Sequence, residues 1–200
     1  KPVTFNGTGS TFISNSNGNS ITFCTNIKGG TYIANTGGMT FQATNIVEII
    51  CKAESSTGRN FVTGNVFNSE FYATTHTGLQ LTGIAMASNC FIKSTTGNGL
   101  VGGGTTQKAI NCTVISDTGS AAYRVRLVDC YLESAASLRV VTDCPLVEGC
   151  NIVNTSTTSS GGLNTAAVSA FAKIINNVFE LAGDGNAIAL GNSSAATITN

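Results

Sequence analysis

Apolar positions along this chain do not recur at the i, i+3, i+4 spacing of a helix face. They fall in short alternating runs broken by Gly, Ser, Thr and Asn, as in Leu79-Gln80-Leu81 and Val125-Arg126-Leu127. Gly and β-branched residues would interrupt any longer helix, so low helix content is expected. One phrase returns down the whole chain: a β-branched or apolar pair leads to Asn or Cys and then to another apolar residue. It appears as Val3-Thr4-Phe5-Asn6, Cys24-Thr25-Asn26-Ile27, Ala43-Thr44-Asn45-Ile46 and Val62-Thr63-Gly64-Asn65-Val66. Cysteine then takes over in Ser88-Asn89-Cys90-Phe91, Ile110-Asn111-Cys112-Thr113, Val128-Asp129-Cys130-Tyr131 and Glu148-Gly149-Cys150-Asn151. Ile175-Asn176-Asn177-Val178 and Thr197-Ile198-Thr199-Asn200 close the series.

The marked residues are Asn6, Asn26, Asn45, Asn65, Cys90, Cys112, Cys130, Cys150, Asn177 and Asn200, at steps of 18 to 27 residues. A period in this range reads as one turn of a solenoid. Between the phrases lies a second apolar run: Gly78-Leu79-Gln80-Leu81, Gly99-Leu100-Val101, Ala122 through Leu127, Leu138-Arg139-Val140-Val141 and Asn186 through Leu190. Each turn therefore carries at least two short strands joined by polar corners. A single turn cannot bury its inward face, but turns stacked about 4.8 Å apart pair their backbones and build one continuous core. The pattern predicts an all-β parallel β-helix of about ten turns, each of roughly twenty-two residues, making a rod about 45 Å long. Residues 1–200 are expected to form a single domain, either a rod by itself or a segment of a longer one. The marked Asn and Cys residues are expected to form one inward stack, and the long steps ending at Cys90 and Asn177 place loops at 71–77 and 155–164.

Composition narrows the picture. Hydrophobic residues make up 42% of the chain, enough for a core, while charged residues are only 10% and balance to zero, against about 25% charged in ordinary domains. Nucleic acid is not expected as a partner, because no basic footprint exists. Membrane insertion is not expected either, since no apolar run approaches the roughly 20 residues of a span. Seven cysteines at spacings that match no zinc pattern point to free buried thiols rather than a metal site or a complete disulfide framework. Lys1-Pro2-Val3 does not read as a signal peptide, although a mature or excised segment fits equally well.

The repeated Asn and Cys phrase, over nearly the whole chain, resembles the pectate-lyase-like superfamily of right-handed β-helices. That group includes polysaccharide lyases and hydrolases, bacteriophage tailspikes and tail fibres, and some bacterial surface adhesins. The resemblance implies a right-handed coil and specifies fold rather than function, because stacked Asn and Cys are packing devices shared by members with unrelated activities.

Charged residues gather between Arg124 and Glu148: Arg124, Arg126, Asp129, Glu133, Arg139, Asp143 and Glu148. On stacked turns such a cluster could bind sugar, or supply paired carboxylates to glycoside chemistry with Ca2+ as in a lyase. The alternative is a solvated face with weak cross-turn ion pairs. No catalytic motif of the lyases or hydrolases can be matched residue by residue, so no catalytic residue is assigned. Tyr72 and Tyr123 are the aromatics most suited to stack on sugar rings. His76, the one histidine, reads as a loop residue, and the glycines from Gly97 to Gly104 lack the Lys-Ser/Thr ending of a phosphate loop. An ice-binding Thr array would require T-x-T at one position of every turn, and Thr197-Ile198-Thr199 has no counterparts at the repeat spacing.

Both ends of the chain fall within a repeat phrase, so the rod is expected to continue into other domains or to be capped by partner chains. The leading expectation is a structural, receptor-binding component of a phage virion that meets host-surface polysaccharide. It resembles a tail fibre or tailspike, which are typically homotrimers assembled with other virion proteins, and no cofactor is called for. The alternatives are a polysaccharide lyase or glycoside hydrolase domain, and a secreted bacterial adhesin.

Overall fold

A computed structural model describes residues 3–15, 19–48, 52–55, 58–135, 139–157, 161–165, 172–191 and 196–199. Asn200, Cys51 and Leu138 lie outside these, as do the side chains of Cys24 and Asn45. The described residues form strands and no helix.

Where the coil is fully developed it has three walls, one more than the minimum of two strands per turn. The first wall stacks Leu79–Thr82, Leu100–Val101, Ala122–Tyr123, Val141–Thr142, Leu163–Asn164 and Ile188–Ala189. Met86–Ser88, Lys108–Ile110, Arg126–Val128, Leu146–Glu148, Ala172–Ile175 and Ala196–Thr199 make the second wall. The third is a nine-stranded ladder from Thr11–Ser14 to Val178–Leu181. All pairings between neighbouring coils are parallel, as in Phe91↔Thr113 and Lys108↔Arg126. The expected right-handed parallel β-helix is thus the fold, with the handedness that crossovers between parallel strands take. The third wall counts nine rungs where about ten turns were expected. Toward the N-terminus the first two walls merge: Phe61–Phe67 pairs through Phe61 with Gln80 of the first wall and through Val66 with Ala87 of the second.

Alternation along each strand builds the core. On the third wall Phe71, Ile92, Val114, Leu132 and Ile152 point inward in one register and are fully buried. Val66, Ala87, Ala109, Leu127 and Val147 do the same on the second wall. Each large side chain buried in this way contributes about 1.5–3 kcal/mol. Phe71 therefore belongs to the core strand Glu70–Ala73 and not to a loop over 71–77. One rung position further along, Ser94, Ser116 and Ser134 also point inward, and their hydroxyls donate to the carbonyls of His76, Gly97 and Gly119. These bonds satisfy the corner that leads to the first wall.

The corner between second and third walls explains the repeated phrase. Asn68, Asn89, Asn111, Asp129, Gly149 and Asn176 all have positive φ there, the left-handed conformation that Asn, Asp and Gly accept at least cost. The residue that follows turns inward, giving Cys90, Cys112, Cys130 and Cys150, with Asn177 beneath them. Ser69, not Asn65, precedes this column, because Phe91 N–H bonds to the Ser69 carbonyl. Asn65 pairs with Ile46, Asn26 with Thr4, and Asn6 with Lys28, all within strands of the second wall. The single stack expected from the sequence is therefore two different columns.

The corner between first and second walls varies in length, spanning 83–85, 102–107, 124–125 and 143–145 in successive coils. It also divides the run Ala122 to Leu127 between two walls. Arg124 (φ 53°) and Asp143 (φ 54°) make its bend in adjacent coils.

Candidate functional site

A three-walled coil carries sequence neighbours around its perimeter, and the charged segment from Arg124 to Glu148 is distributed accordingly. Arg124 and Asp143 lie at the corner between first and second walls, where Arg124 N–H bonds to the Thr142 carbonyl of the next coil. Arg126 and Glu148 lie in second-wall strands. Asp129 occupies the corner between second and third walls, its N–H bonding to the Glu148 carbonyl. Glu133 faces outward from the third wall, and Arg139 is exposed just ahead of the first-wall strand Val141–Thr142. The four acids thus reach four different places and do not form a facing pair across a cleft. Among the described residues no group of three or more His, Cys, Asp and Glu could hold a metal ion.

Glu133 has a local partner. The Tyr131 hydroxyl donates to its Oε2 at 2.7 Å, and that bond, with a smaller contribution from burial, pushes the phenol up to about 12. Tyr72 lies outward on the same wall, where its hydroxyl donates to Glu70 and its ring tilts against Phe91 at 5.6 Å.

The thiols are buried and free at Cys90, Cys112, Cys130, Cys144 and Cys150. In the corner column each sulfur donates to the carbonyl two residues earlier, from Cys90 to Ser88, Cys112 to Ile110, Cys130 to Val128 and Cys150 to Glu148. Successive thiols also bond to one another, which lowers Cys90 through Cys112 and, with burial, raises Cys150 through Cys130. Cys144 is pushed up to about 12 by burial. A thiol held protonated in this way packs as a small apolar group rather than acting as a nucleophile.

His76 is exposed in the bend after Glu70–Ala73. The glycine-rich stretch serves packing: a Cβ at Gly97 would meet the backbone of His76 at 2.5 Å. A hollow of about 200 Å³ at the last rungs is lined by Ile174, Phe179, Ile188 and Ile198 with Asn177 and Thr199, and it offers too few polar groups to orient a sugar.

The first wall has a more suitable face. Its outward column runs Phe61, Gln80, Val101, Tyr123, Thr142 in unbroken register. Tyr123 carries the Arg124 guanidinium over its ring at 4.9 Å, and Phe61 carries that of Arg59 at 5.9 Å. Arg59 also donates to the Gln80 side chain. The two cation–π pairs stand three rungs apart, about 14 Å at the spacing of parallel strands. Sequence reading singled out Tyr123 and Arg124 but not Phe61, Arg59 or Gln80. The missing signal was an Arg beside an aromatic at matching points of two coils, in Arg59-Asn60-Phe61 and Tyr123-Arg124.

Comparison with protein-family models, with curated proteins and with solved structures finds no match to this chain. The functional reading therefore rests on the geometry of the rod.

Proposed function

We propose that this chain is a structural, receptor-binding rod of the tail-fibre or tailspike type, carried on the outside of a virion, which presents its first wall to a host-surface glycan. The observation that supports the reading is the outward column from Phe61 to Thr142, with an arginine held over the aromatic ring near each end. Aromatic faces take the apolar faces of sugar rings, while guanidinium and carboxamide groups take hydroxyls or carboxylates. A rigid strand wall holds these groups at a fixed spacing and so lowers the entropic cost of engaging an extended chain. The dispersal of Asp129, Glu133, Asp143 and Glu148 around the coil favours binding over cleavage.

The test is binding to an array of bacterial surface polysaccharides, with the bound glycan then assayed for new reducing or unsaturated ends. Binding without such ends is expected. Replacing Tyr123 by Ala and Arg124 by Gly, which suits its positive φ, should weaken it by about tenfold or more, the equivalent of 1.4 kcal/mol. Changing Asp129 and Asp143 to Asn should leave it intact. Release of sugar ends would replace this reading with a lyase or hydrolase.

A further inference from the structure

The seam between the first and second walls carries positive charge that its surroundings do not balance. In three successive coils the seam and the second-wall strand after it cover 83–88, 102–110 and 124–128. These segments hold Lys108, Arg124 and Arg126 and no Asp or Glu. Alternation about the fully buried Val125 leaves Arg124 and Arg126 exposed on either side of it. Lys108 stands directly beside Arg126 in the strand register, about 4.8 Å away, and Arg124 precedes Arg126 by two residues, at most about 7 Å of chain.

Like charges at facing strand positions repel, so this placement costs stability that an uncharged residue at 108 would not. Among the described residues none of the three makes an ion pair, whereas Lys93 pairs with Asp117 on the third wall. The nearest acids come with the next coil. Asp143 follows Arg124 along the seam but is only 8% exposed, and Glu148 stands in the other outward column of the second wall, beside Val128.

Three cations held together against their own repulsion suit a multiply charged anion. A phosphate monoester brings about two negative charges and three acceptor oxygens. Guanidinium forks grip such oxygens two at a time, and an ammonium adds a point charge. A carboxylate, with one charge and two oxygens, leaves part of the cluster unmatched. We propose that the glycan taken by the first wall bears phosphate, and that Lys108, Arg124 and Arg126 hold this group at the edge of that wall. The assignment rests on the reading of the first wall as a glycan face. Arg124 is common to both, since its guanidinium lies over the Tyr123 ring at 4.9 Å, and a sugar against that pair has its substituents beside the seam.

Two measurements compare the wild type with the double variant Lys108→Gln/Arg126→Gln, whose substitutions lie outside the first wall. Melting is followed in sodium phosphate and in sodium chloride at equal ionic strength. Phosphate stabilises folded chains in general, so the variant supplies the reference, and the wild type should gain several degrees more than it does. In chloride the variant should melt no lower than the wild type, because a like-charge contact has been removed. Binding is then measured to a panel of bacterial polysaccharides bearing phosphate monoesters, to the same polymers after phosphatase treatment, and to polygalacturonate. The wild type should prefer a phosphorylated polymer to its treated form by about tenfold or more. The variant should bind both forms alike, with the affinity the wild type has for the treated one. Equal melting gains in the two proteins, or a variant that keeps the preference, would overturn the proposal. Polygalacturonate bound as tightly as the phosphorylated polymers would also overturn it, in favour of carboxylate. Failure of the wall reading has a different signature: no polymer of either form binds, while the extra melting gain of the wild type remains, and the glycan is then excluded as the carrier of the phosphate.

Discussion

The side-chain amide of Asn111 donates to Oδ1 of Asn89 one rung away at 2.8 Å, and both residues hold positive φ, at 51° and 54°. Backbone need and side-chain reward coincide here: the residue type that accepts the left-handed conformation also builds a ladder along the exposed corner. Asn89 continues it to Asn68 at a longer 3.4 Å.

Replacing Asn111 by Val should separate these two contributions from those of the neighbouring strands. A β-branched residue at φ 51° costs about 1–3 kcal/mol in strain, whereas Asn111→Gly keeps the backbone and forfeits only the side-chain bond, about 1 kcal/mol. Urea unfolding should rank the variants wild type, Gly, Val. Equal midpoints for Val and Gly would mean that the corner does not hold positive φ.

Alternation on the third wall predicts opposite outcomes for adjacent residues. Ile92 is fully buried between Phe71 and Val114, so Ile92→Ala should cost about 2–5 kcal/mol. Lys93 points outward and pairs with Asp117 with both side chains more than a third exposed, so Lys93→Gln should change stability by less than about 1 kcal/mol. Melting temperatures of the two single variants are sufficient to check this.

The alkaline limb of the stability profile should report Cys144. Burial raises this thiol from 9.0 to about 12 in the folded chain. The native state therefore keeps a proton that the unfolded state has lost between those values. Stability from this group is complete below pH 9 and falls by about 1.4 kcal/mol per pH unit as pH rises toward 12. Cys144→Ala should flatten the limb over that window in chemical denaturation at a series of pH values. An unchanged slope would place the thiol in a wetter environment.

The fold was legible because one conformational demand, a left-handed residue followed by a small inward one, recurs once per coil and leaves the same trace each time. Register was less legible. Asn65 and Cys90 are marked by the same recurring phrase, yet Asn65 lies inside a strand, its Oδ1 accepting from the Met86 N–H, while Ser69 holds the corner. A phrase match cannot distinguish a strand position from a corner four residues later. The charged segment misled for a geometric reason: short sequence separations such as Arg126 to Asp129 cross a corner, whereas residues about twenty apart are the true neighbours. A threonine series at that spacing was also present. Thr96 donates to the Thr74 carbonyl and Thr118 to that of Thr95, bracing the corner after the third wall. Its signal is Thr followed by Gly at Thr36, Thr96 and Thr118, hidden in a chain where threonine is common everywhere.

The corner between the first and second walls ranges from the two residues 124–125 to the six residues 102–107 while the strands on either side keep their pairing. A lineage of such rods can therefore acquire new material at this one seam, coil by coil, without disturbing what is already stacked. Evolution could vary its decoration there independently of its scaffold, and an engineer could insert a reporter or a second recognition loop at 102–107 by the same route.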